Sequence, residues 1–182
     1  MFISYIPIFN FMKKLSKTDY PEYFDQYIDL VKQDDDCVFA LQVSLDNFVD
    51  FIEIVPFEKY NFKYQFDKWT IKDIVRHIID AERVFAYRAL RFARFDKTPL
   101  SGFEENEYAT NVDTTTVDMQ DLIQEFILVR KSTIKLFESF SEKMLYNKGI
   151  ASEKEISVLA IGFIISGHGI HHQNIIKNRY LK

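Results

Sequence analysis

The chain has 182 residues, enough for one domain with a proper core and somewhat short for two. Apolar residues make up 47% of it and aromatics 16%, which argues against intrinsic disorder, and a net charge of −4 argues against a surface built to neutralise nucleic-acid phosphates. Five glycines and four prolines are too little turn punctuation for a many-stranded barrel or sandwich, so the balance favours long helices and an all-α fold.

The first stretch, "MFISYIPIFNF", is apolar but too short to span a bilayer, and no positive charge precedes it as in a secretory signal. Met12-Lys13-Lys14 reads as a natural start, so residues 1–19 are set aside as an N-terminal extension, with a short amphipathic anchor as the alternative. A single domain is expected over 20–182. Pro21 suits the first turn of a helix opening after Thr18 or Asp19. Phe24, Tyr27, Ile28 and Val31 then follow the spacing of one helical face. The acidic run 34–36 either breaks this helix or caps the next, where Val38, Leu41, Leu45, Phe48, Val49 and Ile52 continue the period. The single cysteine, Cys37, rules out an internal disulfide and a Cys-rich zinc site and suits a reducing cytoplasm. It reads as a packed hydrophobe in preference to a nucleophile.

After Pro56 an extended connector leads to Thr70, a strong helix start, with Asp73 three residues on completing a capping box. The helix from 71 to about Asp96 carries Ile71, Ile74, Val75, Ile78, Ala81, Phe85 and Ala89 as an apolar stripe. Residues 98–117 read as a long loop with at most one short helical turn. A third helix covers roughly 118–140, a loop with Gly149 follows, and the last helix starts near Ile156. No other stretch approaches a transmembrane length. Four helical blocks with intervening loops predict a helical bundle.

The histidines carry the chemistry. The last helix is apolar almost all round through Val158–Ile165, so it belongs at the centre of the bundle. His168 and His172 lie four residues apart, about 40° round the helix, the spacing with which two imidazoles reach one metal ion. His171 offers a competing pair with His168 but sits roughly 100° from His172, so all three can hardly share one centre. His77 borders the buried stripe of the second helix. His77 and two histidines of the last helix would make a three-histidine site with open positions, as catalytic zinc sites have. The alternatives are packed, hydrogen-bonded histidines or an exposed cluster. There is no His-Glu-x-x-His motif, nor the Glu three residues before a histidine that a di-iron bundle needs.

Several neighbours have competing readings. Asp73 is either a cap or the acceptor that orients His77. Glu82 and Asp80 are the candidates for an acid or base, but Glu82 lies about 140° round the helix from His77, faces elsewhere and receives no catalytic role. Arg130 reads as a buried pairing partner, with a pocket anion-binder as the alternative. Arg88, Arg91, Arg94 and Lys97 recur every three residues and read as a solvated face. Gly162, Gly167 and Gly169 each cost a helix up to ~1 kcal/mol against Ala, which suggests close approach of a neighbour or ligand.

"KWTIKDIVRHIIDAERVFAYRALRFARFD", then "PLSGFEENEYA", then "GHGIHHQNIIKNRYL" resemble the DinB/YfiT-like superfamily, in the branch with a C-terminal Gly-His-x-x-His-His block. The resemblance spans about 20–182. It implies a four-helix bundle of unusual connection order and a mononuclear metal, zinc, nickel or iron, held by His77, His168 and His172, with His171 left out. Characterised members use a low-molecular-weight thiol, so the resemblance implies a thiol S-transferase in stress or detoxification, with a small-molecule thiol and electrophile as partners. A homodimer is common in the family. One departure stands out: a Glu often follows the first histidine of the block, and here it is Gly169. A metal-dependent hydrolase and a non-catalytic metal-binding bundle are the alternatives. Nucleic acid and membrane are not expected partners.

Overall fold

Four long helices carry the fold, and each begins where a side-chain oxygen meets backbone N–H groups that have no helical acceptor. The computed structural model describes residues 15–32 and 36–182. The expectations for residues 1–11 and for a start at Met12 lie outside those residues. In chain order the elements are α1 (Asp25–Ile28), α2 (Cys37–Glu53), α3 (Ile71–Ala93), α4 (Glu105–Thr110), α5 (Met119–Glu138), α6 (Glu142–Leu145), β1 (Lys148–Ala151), β2 (Lys154–Ser157) and α7 (Val158–Arg179). Asp36 caps α2, Asp118 caps α5 and Ser157 caps α7. At α3 the expected box forms in full: Asp73 N–H donates to Thr70 Oγ1 at 3.1 Å, and Thr70 N–H donates to Asp73 Oδ2 at 2.9 Å. No described helix is long and apolar enough to cross a membrane.

The first helix is much shorter than its periodicity predicts. Residues Lys17–Asp19 and Glu22–Phe24 form separate 3₁₀ turns, and only Asp25–Ile28 is α-helical. The apolar face survives this, because Tyr27 and Ile28 are buried and Phe24 and Val31 pack against the core. The larger difference is between α5 and α7. Where a loop is predicted, β1 and β2 form an antiparallel hairpin, and α7 starts at Val158 instead of near Ile156. Its turn residues Ser152 and Glu153 take φ of 51° and 62°. Such turns usually advertise themselves through Asn-Gly or Asp-Gly, and Ser-Glu carries no such signal. Gly149 is required here, since a Cβ at that position would lie 2.0 Å from the Phe92 ring.

Around the bundle the order is α2, α7, α3, α5: α7 and α5 each pack between α2 and α3, on opposite sides. Sequential helices α2 and α3, and α5 and α7, are therefore diagonal, which is why long connections and the hairpin are needed between them. At the centre Arg130, with no exposed surface, joins all four. Its Nε donates to Glu82 of α3 at 2.8 Å, its Nη1 to Ser44 Oγ and Leu41 O of α2, and its Nη2 to Ile165 O of α7 at 3.4 Å. α1 closes on α7 at Gly167, where a Cβ would meet the Tyr27 carbonyl oxygen at 2.1 Å.

Two outcomes follow from this packing. Gly167→Ala forces α1 away and should lower stability by about 1–3 kcal/mol, whereas a Cβ at Gly169 meets nothing within 4 Å, so Gly169→Ala should be neutral or stabilising by up to about 1 kcal/mol. Urea denaturation of the two variants checks the opposite signs. Glu82→Ala leaves the Arg130 charge buried and unpaired, and the same measurement should show a loss of about 3–5 kcal/mol.

Candidate metal centre and the cavity beside it

Because α7 packs beside α3, the one histidine of α3 meets the pair on α7. The Nε2 atoms of His77 and His168 are 3.1 Å apart, and so are those of His168 and His172. One donor atom from each of the three rings falls within 4.8 Å of the other two, the one such group of His, Cys, Asp or Glu among the described residues. A neutral imidazole carries one N–H and one lone pair, so three converging Nε2 atoms are joined either by N–H···N bonds whose direction the tautomers set or by a cation that accepts all three lone pairs. Zinc–nitrogen bonds of roughly 2.0–2.1 Å at tetrahedral angles hold nitrogens about 3.3 Å apart, close to the separations seen.

The rings are held in the form that ligates. Burial pushes His77 down to about 4, against a pull in the other direction from Glu105. Burial also pushes His168 and His172 well below the ordinary 6.5, and the neighbouring imidazoles add to it. Packing fixes their orientation: Trp69 lies over His77 with ring centroids 4.8 Å apart, and Tyr27 meets His168 edge-on at 5.2 Å. His172 Nδ1 is buried without a hydrogen-bond partner.

Asp73 does not orient His77. Its Oδ2 is spent on the cap and its Oδ1 accepts from Thr114 Oγ1 at 2.5 Å, since a capping carboxylate folds back over the helix start. His171 stands outside the convergence, half-buried, with its ring edge-on to Tyr27 and His172. Cys37 is buried beside Gly162, and burial pushes its thiol up to about 12, so it is no nucleophile. Glu82 is locked in its pair with Arg130, and Asp80 lies 3.5 Å from Arg83.

A cavity of about 340 Å³ opens beside the histidines, with His77 and His168 in its wall. Tyr27, Phe85 and Phe103 make much of the rest of it, and Glu105 at the start of α4 contributes a carboxylate. Reading the residues alone singled out neither Glu105 nor Arg88, which also lines this cavity. Glu105 sits in a stretch with no helical periodicity to orient it. Arg88 was grouped with a solvated basic face, yet it is 6% exposed, so that expectation fails for Arg88.

The solved structure of YfiT from Bacillus subtilis, described as a probable metal-dependent hydrolase with an unusual four-helix bundle topology, matches this fold. Its TM-score is 0.65 at 14% identity, covering 91% of this chain and 92% of that one. A protein of Geobacillus thermodenitrificans named "Putative metal-dependent hydrolase" is 25% identical over 119 residues, which is 63% of this chain and 66% of that protein's length. The sequence profile of the DinB superfamily matches residues 40–176, from the first turn of α2 to the last turn of α7, and so takes in all three converging histidines. On that match the chain belongs to the DinB superfamily.

Proposed function

We propose that this protein is a metal-dependent hydrolase of small molecules, in which His77, His168 and His172 hold one divalent cation, zinc, nickel or iron. The observation that carries the reading is the convergence of three neutral imidazoles, two of them, His77 and His168, in the wall of a cavity large enough for a small organic molecule. Three histidines fill three positions and leave the rest for a substrate or nucleophile, as structural sites do not. Neutral ligands offset none of the cation's charge, so when bound it polarises a substrate and lowers the pKa of a nucleophile beside it. The names of the two relatives point the same way.

The chain's own groups do the rest. Tyr27 and Trp69 hold the rings of His168 and His77 in place, and the aromatic walls keep bulk water from the substrate. Glu105 lines the same cavity as His77 and His168 and is the carboxylate there that would accept the nucleophile's proton. It takes a role that the sequence pattern assigns to no other acid, Gly169 having no side chain.

Thiol transfer is the second reading, since the same cavity has room for a small thiol. Since Cys37 is buried away from the cavity lining, the thiol would come from a separate small molecule.

Protein purified without a histidine tag should contain about one metal ion per chain by elemental analysis. His77→Ala, His168→Ala and His172→Ala should each lose it and His171→Ala should keep it; full metal in His77→Ala would overturn the assignment. Glu105→Gln should retain the metal while turnover falls by about 10²-fold or more. Metal-dependent cleavage of an ester or amide panel without added thiol supports hydrolysis. Metal-dependent loss of free thiol in the presence of an electrophile supports transfer instead.

A further inference from the structure

The chain buries two arginines in opposite ways. Arg130 has Glu82 against it and neighbours on three helices for its remaining N–H groups. Arg88 is 6% exposed and has no carboxylate within ion-pair distance among the described residues, Glu105 included. Its Nη2 donates to Ser101 O at 3.0 Å and to Ser152 Oγ at 3.2 Å. Nε and Nη1 have no acceptor among the described residues, and Arg88 lines the cavity. The rings of Phe85 and Phe103 flank the guanidinium, each 5.8 Å from it. A guanidinium stays charged at any physiological pH, so the fold holds a positive charge without a direct ion pair in a largely aromatic cavity. Lys154 of β2 lines the same cavity and also has no carboxylate partner among the described residues.

Position supplies the second half. Arg88 follows His77 by eleven residues on α3, which is three turns plus roughly 20°, so both stand on one face about 16 Å apart along the axis. Ala81 and Phe85 line the cavity between them. The cavity therefore has His77, His168 and Glu105 in its wall, an aromatic middle, and a cationic end without a direct ion pair.

We propose that the cavity takes an organic acid whose carboxylate is held by Arg88, with Lys154 assisting, while its reactive group lies at the three histidines. The location of the reacting group rests on the reading above; the anion subsite does not. A planar guanidinium edge with free N–H groups pairs a carboxylate in two parallel hydrogen bonds, and the flanking rings fit an apolar or aromatic body. The acid is either the molecule that is cleaved or a thiol co-substrate, and the two are separable by experiment.

Isothermal titration with matched probes tests the subsite on zinc-loaded and on metal-free protein. The pairs are 4-phenylbutyrate against 4-phenylbutanamide, and N-acetylcysteine against its amide. At least one acid should bind about tenfold or more tightly than its amide, with or without zinc. Arg88→Gln should abolish that preference and Arg88→Lys keep part of it, with zinc content unchanged in both. Preference within the first pair assigns the acid to the cleaved substrate, and preference within the second assigns it to a thiol. Equal binding of acid and amide in both pairs overturns the proposal, as does a preference that survives Arg88→Gln or exists only with zinc, where the metal itself would be the anion holder. If Arg88→Gln fails to fold, the Arg88 Nε–H resonance of the wild-type protein replaces it: a shift with the acid but not the amide supports the contact, and no shift overturns it. A chain that binds no zinc but keeps the preference loses the metal reading and retains this one.

Discussion

One guanidinium sits where the four long helices meet. Arg130 of α5 bonds to Glu82 of α3, to Ser44 and Leu41 O of α2 and to Ile165 O of α7, with no exposed surface. A charge in that position is tolerable only if each of its donors is satisfied, so the four helices have to take the positions that satisfy them. The pair also fixes the rotation of α3. With Glu82 turned inward toward Arg130, His77, five residues earlier, is turned toward α7. The geometry of the histidine cluster is thus tied to the polar centre of the core.

The second constraint is how close α7 allows its neighbours to come. Gly167 lets the Tyr27 carbonyl lie against the helix, and Gly162 does the same for Phe137. Without these approaches Tyr27 would not reach the His168 ring. Gly169 has a different character, since open space lies where its side chain would be. The glycines of α7 therefore do not share one cause, although they look alike in the sequence.

Electrostatics divide the molecule's interior in two. On the core side the charge is closed, with Arg130 matched by Glu82. On the cavity side it is left open: three imidazoles converge on one another with no acid beside them to take an ion pair, and Arg88 has no ion-pair partner among the described residues. A buried charge without a counter-ion is destabilising, so the fold tolerates at Arg88 what it does not at Arg130.

Much of this was legible along the chain. Helical period and caps are local properties, so the four long helices, the Thr70–Asp73 box and the inward faces of α3 and α5 followed from residues a few positions apart. The i, i+4 pair His168 and His172 was equally local, and His77 joined it through the family resemblance and its place beside an apolar stripe. The hairpin at 148–157 was hidden because Ser152 and Glu153 adopt a turn that their residue types do not announce. Asp73 could not be divided between cap and orienting partner, since both uses need the same spacing and only the contact with Thr114 separates them. Glu105 and Arg88 were out of reach for a deeper reason. What each does depends on which groups from distant segments surround it, and periodicity says only which way a residue faces. The sequence by itself determined the helices and the pair of histidines on α7; the tertiary structure decided that α3 would bring His77 to that pair and that a buried arginine would be left without a counter-charge, because both depend on helix-to-helix packing.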